Sequence, residues 1–159
     1  RDFCLSRGLG DVYKRQGLEN VYMGNRTDKA AELHNKGYNC AQAVACSFCD
    51  EFGIDEAAMF RLTEGMGLGM GCMEGTCGAV NGAVTILGLL NSSANLEKPD
   101  SKGQTYKLSK ELVETFKNKN KSIVCKDLKG VETGEVLRSC PGCIEDAVII
   151  LEKILEEHR

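Results

Sequence analysis

A chain of 159 residues, 42% hydrophobic and 27% charged, is long enough to bury one core and calls for no domain boundary. Its net charge of −3 is spread along the sequence, which argues against a nucleic-acid partner and against a cationic membrane face. The longest apolar run, Ala83 to Leu90 with its flanks, falls well short of the roughly 20 residues of a spanning helix.

In chain order, the first sixteen residues, RDFCLSRGLGDVYKRQ, carry no initiator Met, no apolar signal core and no twin-arginine pattern. The string GDVYKRQ resembles translated adapter sequence, so residues 1–16 are expected to be non-native, with Met23 as the start and residues 24–158 as the domain. Setting the segment aside also removes Cys4.

Helix signals follow one another from there. Thr27 and Asp28 open a helix that Gly37 ends, Asn39 caps "CAQAVACSFCDEF" up to Gly53, and Asp55 caps "EAAMFRLTE". The stretch "GLGMGCMEGTCGAVNGAV", residues 67–84, is glycine-dense; it reads as a loop able to take positive φ, with Met66, Met70 and Met73 as core filler. Thr76 caps the helix beginning at Cys77, in which Gly78 and Gly82 stand four apart and let another backbone come close. A helix near 104–119, a short turn at "SIVCKDLKG" and a last helix from Pro141 to Glu157 complete the chain. The last presents Ile144, Ala147, Val148, Leu151, Ile154 and Leu155 on one face. No run alternates as a strand does. The expected fold is all-α, a compact single-domain bundle of about five to seven helices with no substantial sheet.

Eight cysteines remain after residue 16: Cys40, Cys46, Cys49, Cys72, Cys77, Cys125, Cys140 and Cys143. With no secretion signal, that many favour a reducing, cytoplasmic setting and metal or redox chemistry over structural disulfides. His34 and His158, the only histidines, read as exposed helix residues and not as ligands. Cys40 follows the cap Asn39, Cys77 follows Thr76, Cys125 stands one turn after Ser122, and Cys140 is the expected N-cap of a helix whose first residue is Pro141. Four cysteines thus mark four helix starts. A helix N-terminus offers unpaired N–H groups and partial positive charge, both of which favour thiolate over thiol. Converging, those ends would make a site for sulfur anions.

The segments "GYNCAQAV" (37–44), "CGAVNGAV" (77–84), "SIVCKDL" (122–128) and "SCPGCIEDAVIILEKIL" (139–155) resemble the family of redox-active proteins named for the pattern C, GCAxxG, C, C. The resemblance runs from about Asn35 to Leu155 and carries the family's four cysteines onto Cys40, Cys77, Cys125 and Cys140. It implies a redox role without naming a substrate or a partner protein. Cys46, Cys49, Cys72 and Cys143 are additional to the pattern.

Three functions remain open. In the first, Cys40, Cys77, Cys125 and Cys140 ligate an iron–sulfur cluster that transfers single electrons, with Gly78 and Gly82 counted among the cofactor-binding residues. In the second, no metal is needed: Cys140 attacks as a thiolate and Cys143 resolves, from a CPGC helix start like that of thioredoxin-type motifs. The third is a helical binding module with a structural zinc on the same thiolates, or with inert core cysteines. Cys46 and Cys49, read as lying within one continuous helix with Cys46 off its apolar stripe, are structural filler on this reading. The glycine stretch does not match GxGxxG, follows no strand and lacks a P-loop lysine, so no nucleotide site is expected.

Overall fold

The computed structural model describes residues 26–159; the expectations for residues 1–16 and for Met23 lie outside them. The described chain is all-α. Helix α1 covers residues 26–35, followed by α2 (Cys40–Cys46), α3 (Cys49–Phe52), α4 (Glu56–Thr63), α5 (Gly67–Met70), α6 (Gly78–Asn91), α7 (Lys102–Asn120), α8 (Cys125–Lys129) and α9 (Cys140–His158). A single antiparallel bridge between Thr76 and Val124 is the sole extended pairing among the described residues.

Local chemistry accounts for most boundaries. Asn39 and Gln42 form a reciprocal capping box at α2, and the Asp55 carboxylate accepts from the Ala58 N–H at α4. Residue 26 is already helical, so Thr27 and Asp28 do not open α1. The helix expected from Cys40 to Phe52 is broken at Ser47 and Phe48. There the Ser47 hydroxyl bonds back to the Val44 carbonyl, and Phe48 leaves helical geometry at φ −110°, ψ 1°. The single turn α5 is irregular, with Leu68 and Gly69 both left-handed.

Helix α6 is the centre of the bundle, packed against α2, α7 and α9. Two of its three glycines, Gly78 and Gly82, explain the closeness of α2. A Cβ on Gly82 would stand 2.5 Å from the Ala41 carbonyl oxygen, and one on Gly78 would stand 3.2 Å from the Ala41 nitrogen. Phe48, Ile86, Leu87, Leu112, Phe116 and Leu151 fill the core. Each such side chain contributes roughly 1.5–3 kcal/mol by leaving water. The apolar face expected on the last helix is buried as the spacing implied.

Met66, Met70 and Met73 are not core filler. Met70 is exposed and the other two are half-buried, because the backbone there turns outward through positive φ at Leu68, Met70 and Met73.

A cavity of cysteines at converging helix starts

Two backbone ties bring the glycine stretch onto the 122–126 segment. The Cys77 N–H donates to the Ile123 carbonyl at 2.6 Å, and the Cys125 N–H donates to the Gly75 carbonyl at 3.0 Å. Gly69, at φ 56°, passes so close to Cys125 that a Cβ on it would lie 2.5 Å from the Cys125 Cβ. The glycines therefore serve close approach to a sulfur-bearing segment.

The starts of α2, α6, α8 and α9 then face one cavity of about 200 Å³, lined by Cys40, Cys77, Cys125, Cys140 and Cys143. Gly78 is on its wall, whereas Gly82 serves the contact with α2. Cys77, Cys125 and Cys143 are buried; Cys40 and Cys140 are half-buried. Lys129 and Arg138 bring positive charge to the same cavity.

The capping details differ from expectation at two cysteines. Cys77 itself occupies the N-cap position of α6, one residue later than Thr76 would require. Its side chain makes no cap bond of the kind Asn39 makes, yet the N–H groups of Ala79 and Val80 help hold its thiolate. At α9 the N-cap is Ser139, whose hydroxyl accepts from the Gly142 N–H, and Cys140 is the first helical residue. A hydroxyl caps better than a thiol, so the cap moves to the serine.

The Cys143 thiol donates weakly to the Arg138 carbonyl at 4.0 Å. Within the cavity Cys143 acts chiefly on the Cys77 thiol, and Cys140 on that of Cys40. Cys140 and Cys143, the pair expected to exchange, thus each act on a cysteine of another helix. Through Cys143 first, with Ala79 and Val80 N–H and the Lys129 ammonium in support, Cys77 is drawn down to about 7 against the penalty of burial. Cys143 is pushed up, by Cys77 and then by burial. Burial raises Cys40, with Cys140 and Cys77 adding to the effect, and burial also raises Cys125.

His34, expected as an exposed helix residue, is half-buried and lines the cavity, with an Nδ1 that is buried and has no hydrogen-bond partner. Its spacing along α1 carries no signal of this, since the contact depends on how α1 packs on the bundle. His158 is exposed. Arg138 is fixed at the cavity by Asp146, whose buried carboxylate accepts from Arg138 Nε at 3.0 Å, Asn120 Nδ2 at 3.1 Å and Lys119 Nζ at 2.6 Å. The Gly142 of the CPGC segment leaves room for this arginine, since a Cβ there would stand 2.6 Å from the guanidinium. Cys72 is exposed and outside the cavity.

No group of three or more His, Cys, Asp or Glu among the described residues stands in position to hold a metal ion. No described helix is long and apolar enough to cross a membrane.

Fold and cavity together define a helical protein that gathers cysteines from helix starts into one shielded site. The sequence model of the family described as "Putative redox-active protein (C_GCAxxG_C_C)" matches residues 38–154, and the chain belongs to that family. No curated protein and no solved structure matches it.

Proposed function

We propose that this chain is a thiol–disulfide redox protein of a reducing, cytoplasmic compartment, with Cys77 as the attacking sulfur and Cys143 as the resolving one. The observation that carries this reading is that Cys77 and Cys143 are both buried on the wall of one cavity, where Cys143, the N–H groups of Ala79 and Val80 and the Lys129 ammonium draw the Cys77 thiol down to about 7. Cys77 thiolate attacks a disulfide RS–SR, forming a mixed disulfide and releasing RS⁻. Cys143, as its thiol proton passes to that leaving thiolate, attacks the Cys77 sulfur. The Cys77–Cys143 disulfide forms, and the second RS⁻ leaves with a proton from solvent. The half-buried Cys40 and Cys140 flank the approach to the buried pair.

A second reading rests on a different observation, the opening of four helix-start cysteines onto one cavity. Four thiols are the donor type an iron–sulfur cluster takes. As placed they do not stand in position to hold a metal ion, so Cys40, Cys77, Cys125 and Cys140 would have to draw together to hold it, and it would supply single-electron transfer. Zinc would use the same thiolates as a structural ion.

Anaerobically purified protein distinguishes these readings. Iron, zinc and acid-labile sulfide are measured first, followed by site-resolved thiol alkylation before and after treatment with a small disulfide. Metal-free protein that reversibly links Cys77 to Cys143 supports dithiol exchange. Stoichiometric iron and sulfide with a chromophore lost in Cys77→Ser overturns it in favour of the cluster.

A further inference from the structure

His34 of α1, Lys129 at the end of α8 and Arg138 just before α9 all reach the wall of the cysteine cavity, and among the described residues no Asp or Glu lines it. Lys129 is half-buried and makes no ion pair or hydrogen bond with any described residue. Arg138 gives Nε and Nη2 to Asp146, and Nη2 also to Glu145, which leaves Nη1 without a hydrogen bond among the described residues. The buried Nδ1 of His34 has no partner either. A buried polar group left unmet costs about 1–3 kcal/mol, which a ligand meeting it would recover. Basic side chains with unmet groups, one of them fixed from behind by the buried Asp146, form a prebuilt seat for an anion in a chain whose net charge is −3.

Leu68, Leu128 and the cysteine sulfurs give the same wall an apolar part suited to methylenes and sulfur. At about 200 Å³ the cavity is smaller than the roughly 300–1,000 Å³ of pockets for drug-sized ligands, so a nucleotide or a protein loop is too large for it and a short sulfur compound is not. Resting on the exchange reading, we propose that the cavity seats a small disulfide whose two halves each end in a carboxylate, with one carboxylate on Lys129 and Arg138 and the sulfurs against Cys77 and Cys143. The Cys77–sulfur bond forms as the S–S bond of the substrate breaks, and the first carboxylate-bearing thiolate leaves with the proton of Cys143. Cys143 then attacks the Cys77 sulfur, and the second carboxylate-bearing thiolate leaves with a proton from solvent. Two protein sulfurs are oxidised and one disulfide is reduced to two thiols. Anchoring the carboxylate holds the S–S bond beside the buried pair and places positive charge near the leaving thiolate.

Binding to the full chain is read first, by ligand-observed NMR with methylthiopropanoate, an acid of the proposed shape that cannot exchange. Reaction at Cys77 is then timed for dithiodipropionate and for the neutral hydroxyethyl disulfide, each rate divided by that of the same disulfide with mercaptoethanol to remove intrinsic reactivity. The expected results are saturable binding and a normalised rate about tenfold higher for the dicarboxylate, falling toward equality in Lys129→Gln and in about 1 M salt. Comparing two disulfides on one protein cancels any change that Lys129→Gln makes in the Cys77 thiolate fraction. Arg138→Gln should act in the same direction, and Lys129→Gln decides alone where loss of the Asp146 contact unfolds the arginine variant. Equal normalised rates in the wild type, or a preference that Lys129→Gln leaves intact, would overturn the proposal. Saturable binding of the inert acid without reaction of either disulfide would instead remove the exchange reading and leave the carboxylate site standing.

Discussion

Cys143, in the first turn of α9, lines the same cavity as Cys77 at the N-cap of α6 and draws the Cys77 thiol down. Two residues of α9, Pro141 and Gly142, separate it from Cys140, which instead acts on Cys40 of α2. Each pair therefore crosses between helices, and oxidation of either would tie two elements of the bundle together.

The Cys77 thiol drawn to about 7 has a direct kinetic consequence. Only the thiolate is nucleophilic, so alkylation of Cys77 by iodoacetamide should rise with pH to half its plateau near pH 7, where an ordinary thiol would need about 8.5. Cys143→Ala removes the largest stabilising contact and should move that midpoint upward. A midpoint unchanged by the substitution would show that Cys143 does not govern Cys77.

Lys129 favours the thiolates of Cys40, Cys77 and Cys125 from the end of α8. Lys129→Gln should raise the Cys77 midpoint by less than Cys143→Ala does, and the difference from wild type should shrink in about 1 M salt, where charges are screened within roughly 3 Å. The readout is the same alkylation profile at two ionic strengths.

Gly82→Ala places a methyl 2.5 Å from a backbone carbonyl of α2 that cannot swing aside. Separating α6 from α2 should cost about 1–3 kcal/mol, as other overpacked cores do. Chemical denaturation should show a lower midpoint with an unchanged slope. Gly88→Ala, where nothing lies within 4 Å of the added carbon, is the control and should show no such loss.

Asp146 is buried beneath Arg138, Lys119 and Asn120. Burial alone would raise its carboxyl, but those three donors outweigh burial and hold it below its ordinary value of 3.8. A carboxyl lowered by folding adds stability that is complete above the unfolded value and is lost as pH falls through the folded one. Asp146→Asn should therefore destabilise by about 1–3 kcal/mol at neutral pH, the partners Lys119 and Arg138 keeping access to water, and remove part of the acid sensitivity below pH 4. Urea unfolding of both proteins across that range checks the sign. An equal acid response in the two would assign the sensitivity elsewhere.

Much of the bundle is written locally. Asn39 with Gln42, Asp55, and the apolar spacing from Ile144 to Leu155 each specify an element through neighbours within a few residues, and each behaves as those rules require. The same locality explains the misreadings. Apolar periodicity from Cys40 to Phe52 suits one helix, and nothing in it weighs the Ser47 hydroxyl against the next helical bond. Met66, Met70 and Met73 are apolar by type, but Met70 and Met73 sit at positive φ in the glycine stretch and none of the three is part of the core.

By itself, then, the sequence determined that this chain is helical and that Cys40 and Cys140 lie at helix starts, because caps and amphipathic spacing act over a single turn. Tertiary structure alone decided that those starts share a cavity, that Cys143 lines it with Cys77, and that His34 joins them. Such meetings depend on how closely separate helices approach. That distance is set by Gly82 against Ala41 and Gly69 against Cys125, contacts between residues far apart in the chain.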